Sequence, residues 1–369
     1  MIKILFLIHD LGIGGAEKVL VSLVNHMDRT IFDITVISLF GGGVNEQFLA
    51  PHIHYRAVWP KAIPGNSKLM KLLTPTQLHR LCVKERYDVE VAYLEGPAAR
   101  VISGCPNPET KLFCWIHIEQ HTRECAAGAF RSYEESERCY ERFEQIVCVS
   151  ETVRQDFLSI YPTFQNTLVR YNTIETDKIL AQMHEPVEGV HFSPGELKLV
   201  AVGKISKNKG IDRLARIVKR LRDDGLPVHL YALGVGADQA EIEQYLRENG
   251  IEDYFTFLGY QTNPYKYVAK CDLFVCASLA EGFSTAATEA LIVGTPVCTV
   301  EVSGMKEMLG EHDKYGVVTE NNAGALYEGI KRLLSDPTML AHYRKQAEKR
   351  GKSFSAENTV KAVEELLQR

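Results

Sequence analysis

Short apolar runs alternate with amphipathic stretches along this chain. Ile2–Ile8 and Phe32–Leu39 are continuous enough to predict buried strands. Ala16–Met27 between them sets Val19, Leu20, Leu23 and Val24 on one helical face. Val89–Tyr93, Lys111–Ile116 and Gln145–Val149 are further runs of strand length, with a charged helical stretch, Arg131–Phe143, between the last two. After Ala181–Glu196, which holds Pro186, Gly189, Pro194 and Gly195 and little periodicity, the pattern starts again. Strands over Leu197–Val202, Pro227–Leu233, Phe255–Leu258, Asp272–Ala277 and Pro296–Val300 interleave with helices over Ile211–Leu221, Gln239–Asn249, Pro264–Ala269, Thr285–Val293 and Ala323–Leu334. Ser355–Gln368 opens on a capping residue and carries a stripe of Val360, Val363, Leu366 and Leu367.

Alternating strand and helix is the pattern of a parallel sheet covered on both faces. Two such runs in 369 residues predict an α/β chain of two Rossmann-like domains. The expected division is 1–180, a linker over 181–196, a second domain over 197–352, and a terminal helix over 353–369 that docks on one domain or the other.

Composition removes several alternatives. Hydrophobic residues are 45% and charged residues 24%, which excludes a disordered or fibrous chain. A net charge of -5 gives no global attraction to nucleic acid. Nine cysteines without a CxxC pair read as small buried apolar groups in a reducing compartment. The apolar start is broken by His9 and Asp10 and runs into a glycine loop, so it reads as a strand and not as a signal peptide. No apolar stretch approaches the roughly 20 residues that span a bilayer. The expected location is the cytoplasm, with any membrane contact at the inner surface.

The densest chemistry lies at Glu281-Gly-Phe-Ser-Thr-Ala-Ala-Thr-Glu289, after a strand and across the start of a helix. Free amides at a helix N-terminus bind anions, and Ser284, Thr285 and Ala286 are small enough to let a ligand reach them. Glu281 and Glu289 can face one ligand, where a carboxylate accepts paired hydroxyls well. The plain alternative is a dipole-complementing glutamate and a solvated one. Upstream, Val202-Gly-Lys-Ile-Ser-Lys-Asn-Lys-Gly210 crowds Lys204, Lys207 and Lys209 at a strand's carboxyl end, where α/β sheets bind ligands. Such lysines either face solvent or gather round an anion, for which a diphosphate is suited. Gly234-Val-Gly236 marks a turn. Gly12-Ile-Gly-Gly-Ala-Glu17 joins the first strand to the first helix without full GxGxxG spacing, which suits close strand–helix packing or close approach to a ligand. His117 ends a strand. With His121 it forms HIEQH, which is not HExxH and offers no third ligand.

These motifs resemble the retaining GT-B glycosyltransferases of family 4. Glu281 and Glu289 match its E-x7-E motif, the lysine loop its GR-x-S-x-x-KG stretch with Lys204 in the usual arginine position, and Gly14–Glu17 its GGAE signature. The resemblance implies two Rossmann-like domains facing across a cleft and a nucleotide-sugar donor held by the second. It implies Glu289 on the ribose, Glu281 on the sugar hydroxyls, Lys204 and Lys209 on the leaving diphosphate, and amides around Ser284–Ala287 on sugar and phosphate oxygens. It further implies His117 toward the transferred sugar. Gly14, Gly15, Gly203, Gly234, Gly236, Phe283, Ser284, Thr285 and Ala286 complete the expected donor contacts. Glu307 falls where the family often has an acid near the donor, and Ser150 and Asn172 read as framework landmarks. A lysine in place of the arginine keeps the charge and loses the bidentate fork.

The implied reaction transfers a sugar, expected as a UDP-sugar from frequency in the family, to a glycan or polyprenyl-linked saccharide in surface polysaccharide synthesis, such as capsule. No DxD-like acidic pair stands in a suitable loop, so no essential metal and no cofactor beyond the donor substrate is expected. Residues 56–86 carry Arg56, Lys61, Lys68, Lys71, Arg80, Lys84 and Arg86 against Glu85, with Trp59, Leu69, Met70, Leu72 and Leu73 among them. That mixture suits an anionic lipid surface or a lipid diphosphate, with a solvated helical hairpin close behind. Two other readings stay open at this point: a nucleotide-sugar epimerase on the same fold, and a non-catalytic partner subunit.

Overall fold

A computed structural model describes residues 1–62, 65–190 and 192–368. Ile63 and Pro64 of the basic stretch, His191 of the expected linker and the final Arg369 lie outside the described residues. The chain divides into two compact units. One runs from Met1 to Thr173 and takes in the stretch from Ala356 onward. The other is Ile174–Ser355.

The first unit is built on seven parallel strands: β1 Ile2–Ile8, β2 Phe32–Phe40, β3 His54–Trp59, β4 Val89–Ala92, β5 Lys111–Ile116, β6 Gln145–Cys148 and β7 Thr167–Val169. Their order is β3-β2-β1-β4-β5-β6-β7. β1 pairs with β2 on one side and β4 on the other, so the chain reverses its direction of travel across the sheet between β1 and β4. Central strands are mainly apolar because both faces are covered, and Ile4 to Ile8 are fully buried, although β4 also buries Glu90. β3 and β7 close the two edges and were not foreseen. Neither has a fully buried residue, so neither has the continuous apolar run that marked the others.

The second unit repeats the architecture with β8 Leu197–Val202, β9 Val228–Leu233, β10 Phe255–Gly259, β11 Leu273–Cys276, β12 Val297–Val300 and β13 Val317–Thr319, in the order β10-β9-β8-β11-β12-β13. All pairs are parallel, and the reversal lies between β8 and β11. The helix Ile211–Asp223 shows why these segments fold as they do. It buries Ile211, Leu214, Ala215, Ile217, Val218 and Leu221 and leaves Arg216 and Arg220 exposed on the other side.

The boundary at Thr173 precedes the expected domain end at 180. The helix Thr176–Gln182 accounts for this: it runs into the segment expected as linker and packs on the helices Tyr265–Val268 and Thr285–Ile292 of the second unit. The terminal helix Ala356–Leu367 returns to the first unit. It lies against the helix Gly15–His26, and Glu364 accepts the Asp28 amide at 2.6 Å. All nine cysteines are free, and only Cys125 is exposed.

Candidate active site

In the second unit, three loops meet at the carboxyl edge of the sheet around its reversal point, where open α/β sheets bind ligands. They follow β8, β9 and β11. The Leu279 amide donates to the Asn208 carbonyl at 2.7 Å, which ties the β11 loop to the β8 loop. The Ile205 amide donates to Val235 at 3.1 Å, and the Lys207 amide to the Asp238 carboxylate at 2.7 Å, which ties the β8 loop to the β9 loop. Gly234 (φ +141°) and Gly236 make this approach feasible. A Cβ on Gly234 would fall on the Gly203 carbonyl oxygen, and one on Gly236 on the Ile205 carbonyl oxygen.

Lys209 donates to Glu281 Oε1 at 2.6 Å, and the Ser278 hydroxyl donates to the same oxygen at 2.7 Å. Both charged side chains are largely but not fully shielded, at 30% and 12% exposure. Lys204 is exposed and has no ion-pair partner among the described residues. Lys207 belongs elsewhere: its ammonium pairs with Glu241 at 3.1 Å on the open surface. The three lysines are therefore not one cluster; Lys209 alone is held in the acidic loop.

Ser284 caps the helix Thr285–Ile292, its hydroxyl accepting from the Ala287 amide at 3.3 Å, while the Thr288 amide bonds the Ser284 carbonyl. The amides of Thr285 and Ala286 remain for an anion. The Ala287 amide of the expected set is engaged by this cap. Phe283 and Ser284 are buried, and Gly304 packs on the Gly282 carbonyl and the Phe283 ring. Glu307 stands on the short helix Met305–Leu309 that Gly304 begins. Glu289 is 6% exposed. Burial excludes the solvated helix glutamate that sequence alone left open, because an acid is rarely covered without a purpose for its oxygens.

In the first unit, the loops after β1, β4 and β5 meet in the corresponding place. Gly14 caps the helix Gly15–His26, and the Glu17 carboxylate folds back over it. Burial pushes Glu17 up to about 7, and the negative charges of Asp10 and Glu95 add to the shift. Asp10 bonds His9 Nδ1 at 2.6 Å and accepts the Gly12 amide at 2.7 Å. Asn45, from the loop after β2, holds the Gly12 carbonyl at 2.5 Å. His117 is 9% exposed, its amide donates to Glu95 at 2.8 Å, and its ring is tilted at 53° against that of Tyr93. Burial holds the imidazole down to about 3, so it is neutral at physiological pH. Its Nε2 has no hydrogen-bond partner among the described residues. Burial also raises Glu95.

Asp10, Asn45, Glu95 and Ser278 were missed by sequence reasoning. Glu95 had a readable signal, an acid between a strand and a Gly-Pro helix start. Ser150 caps the helix Glu151–Ile160, the framework role expected of it, and Asn172 is buried.

Family models match both units. The model for glycosyl transferases group 1 matches residues 188–350, and that for glycosyltransferase family 4 matches residues 13–178. A relative from Campylobacter jejuni, an N-acetylgalactosamine-N,N'-diacetylbacillosaminyl-diphospho-undecaprenol 4-alpha-N-acetylgalactosaminyltransferase, is 26% identical over 96% of each chain. Among solved structures, Anabaena HepE in complex with UDP and glucose superposes with a TM-score of 0.77 over the whole of both chains at 19% identity. A glycosyltransferase from Rickettsia africae gives 0.75 at 13% identity, over 100% of this chain and 98% of the other. These structural likenesses speak for the fold. With one model covering most of each unit and both units built as parallel-sheet α/β domains, the chain belongs to the group 1 glycosyltransferases of the GT-B fold.

Proposed function

We propose that this glycosyltransferase moves a sugar from a UDP-sugar to a hydroxyl of a lipid-linked saccharide or glycan, with retention of anomeric configuration, in surface polysaccharide synthesis. The observation that carries the reading is the Lys209–Glu281–Ser278 cluster beside the open amides of Thr285 and Ala286. A cation, an acid and amide donors converge there on the edge that holds a nucleotide in this architecture. UDP is supported by the Anabaena structure, which contains it, and the acceptor class by the Campylobacter relative, whose name specifies a diphospho-undecaprenol-linked saccharide. Retention rests on the E-x7-E resemblance.

In the proposed reaction, the acceptor oxygen bonds the anomeric carbon as the bond to the diphosphate breaks, and the acceptor proton leaves with the released UDP. Lys209, Lys204 and the two amides stabilise the developing charge, a preorganised arrangement that needs no metal ion. Glu281 and Glu289 hold hydroxyls of the sugar and ribose. By the family resemblance alone, His117, which burial keeps neutral, and the backbone of Gly14 and Gly15 are assigned to the sugar.

The test is product analysis by mass spectrometry with a panel of UDP-hexoses and UDP-N-acetylhexosamines, with and without a polyprenyl-diphosphate-linked saccharide. Addition of one sugar to the acceptor is the expected result. A changed sugar nucleotide without acceptor would assign an epimerase. No turnover with any donor would favour a non-catalytic subunit.

A further inference from the structure

The described part of the basic stretch 56–86 holds the end of β3 and two short helices, Asn66–Met70 and Pro75–Cys82, and does not present one uniform face. Trp59 stacks on Phe40 with ring centroids 5.5 Å apart, Arg56 donates to the Cys82 carbonyl at 2.7 Å, and Met70 is buried. Met70 is thus withdrawn from the surface, and Trp59 and Arg56 are only partly exposed. The most exposed large apolar residues of the stretch lie on a single turn. Leu69 is 53% exposed and Leu72 76% exposed, with Lys68 exposed and Lys71 half-buried beside them.

That turn is held from beneath by two arginines. Arg100 donates to the carbonyls of Met70 (2.9 Å) and Leu73 (2.8 Å), and Arg131 to those of Lys71 (2.6 Å) and Leu72 (2.8 Å). Both are fixed by Glu135, which accepts Arg100 Nε at 3.0 Å and the Arg131 amide at 2.7 Å. Arg100 is fully buried, and a buried ion pair is a costly way to gain stability. Here Arg100 and Arg131 together secure four consecutive carbonyls of a surface turn and so hold the two leucines out. Exposed leucines are common singly. Two of them, three residues apart on a fixed turn and flanked by lysines, match a surface that is apolar below and anionic above.

We propose that the Leu69–Leu72 turn is a preformed membrane-insertion element. Its leucines enter the headgroup–acyl boundary of an anionic bilayer, and Lys68 and Lys71 contact the phosphates. Leu81, Arg80 and Lys84, exposed on and after the next helix, Pro75–Cys82, extend the same chemistry. The inference rests on the proposed lipid-linked acceptor and adds where the enzyme would meet it. The helix that carries Arg100, Pro97–Ile102, begins two residues after Glu95, the acid that holds the His117 amide. The turn's anchor and the first unit's sheet edge therefore share one short element.

Sedimentation of the full chain with vesicles of phosphatidylcholine alone or with a quarter phosphatidylglycerol tests this. The anionic vesicles are expected to bind the parent protein more tightly. L69S/L72S should weaken that binding about tenfold or more. K68E/K71E should do so for the anionic vesicles only. Leu180→Ser, at an exposed leucine of the second unit, should leave it unchanged. Equal binding by the parent and L69S/L72S would overturn the proposal. So would a loss of self-association by L69S/L72S with vesicle binding intact, which would make the turn a protein contact. A UDP-dependent thermal shift on the same samples reports the nucleotide site independently, so failure of the donor reading is seen separately from failure of this one.

Discussion

Lys209 Nζ lies 2.6 Å from Glu281 Oε1, so the cation proposed for the diphosphate rests on the acid proposed for the sugar. The pair is partly solvated and contributes little to stability. Its substitution should therefore cost turnover and leave the fold. Lys209→Ala and Glu281→Gln are each expected to lower kcat/KM by about 10²–10³. The double variant should lose less than the product, because each group acts through the other's position. Steady-state rates with radiolabelled donor, beside denaturation midpoints, check both halves of the statement.

Gly234 and Gly250 both have positive φ, but their surroundings differ. A side chain at Gly234 meets the Gly203 carbonyl, whereas the space around Gly250 is open. Gly234→Ala should destabilise by more than about 2 kcal/mol, since two loops must part. Gly250→Ala should cost only about 1 kcal/mol of backbone strain. Urea denaturation separates them; equal costs would mean that the two loops do not need their close approach.

Glu17 makes the first unit's stability depend on pH. Burial raises its folded value from 4.5 to about 7, so its favourable contribution is complete below 4.5 and fades as pH rises through 7. Glu17→Gln should remove that fall. The stability difference, variant minus parent, should grow by roughly 1–3 kcal/mol between pH 4.5 and pH 8, allowing for partial solvent screening. An unchanged pH slope in the variant would contradict the assignment.

Charge neutralisation by lysines and helix amides implies a reaction indifferent to chelators. Transfer rates measured after dialysis against EDTA should stay within about twofold of those with added magnesium or manganese. A loss restored by one metal would point to an acidic ligand set that the lysine and amide account omits.

The two-sheet architecture was legible because central parallel strands must be apolar on both faces, and Ile2–Ile8 and Leu197–Val202 could be little else. The edge strand His54–Trp59 was not, since one covered face leaves a mixed run. The E-x7-E segment announced itself through small residues at a helix start. The roles of the lysines did not, because spacing alone cannot say that Lys209 turns in to Glu281 while Lys207 turns out to Glu241. Glu289 was ambiguous until its burial was known. Asp10 and Glu95 come near Glu17 only because the reversal between β1 and β4 brings distant loops together, which is a property of strand order and not of any local pattern.

Calorimetric titration of UDP into the parent protein, Lys209→Ala and His117→Ala tests the donor site most directly. The account predicts saturable binding to the parent, affinity at least tenfold weaker for Lys209→Ala, and affinity within about threefold of the parent for His117→Ala, whose side chain is assigned to the sugar. Parent-like UDP affinity in Lys209→Ala, or no UDP binding by the parent at all, would contradict it.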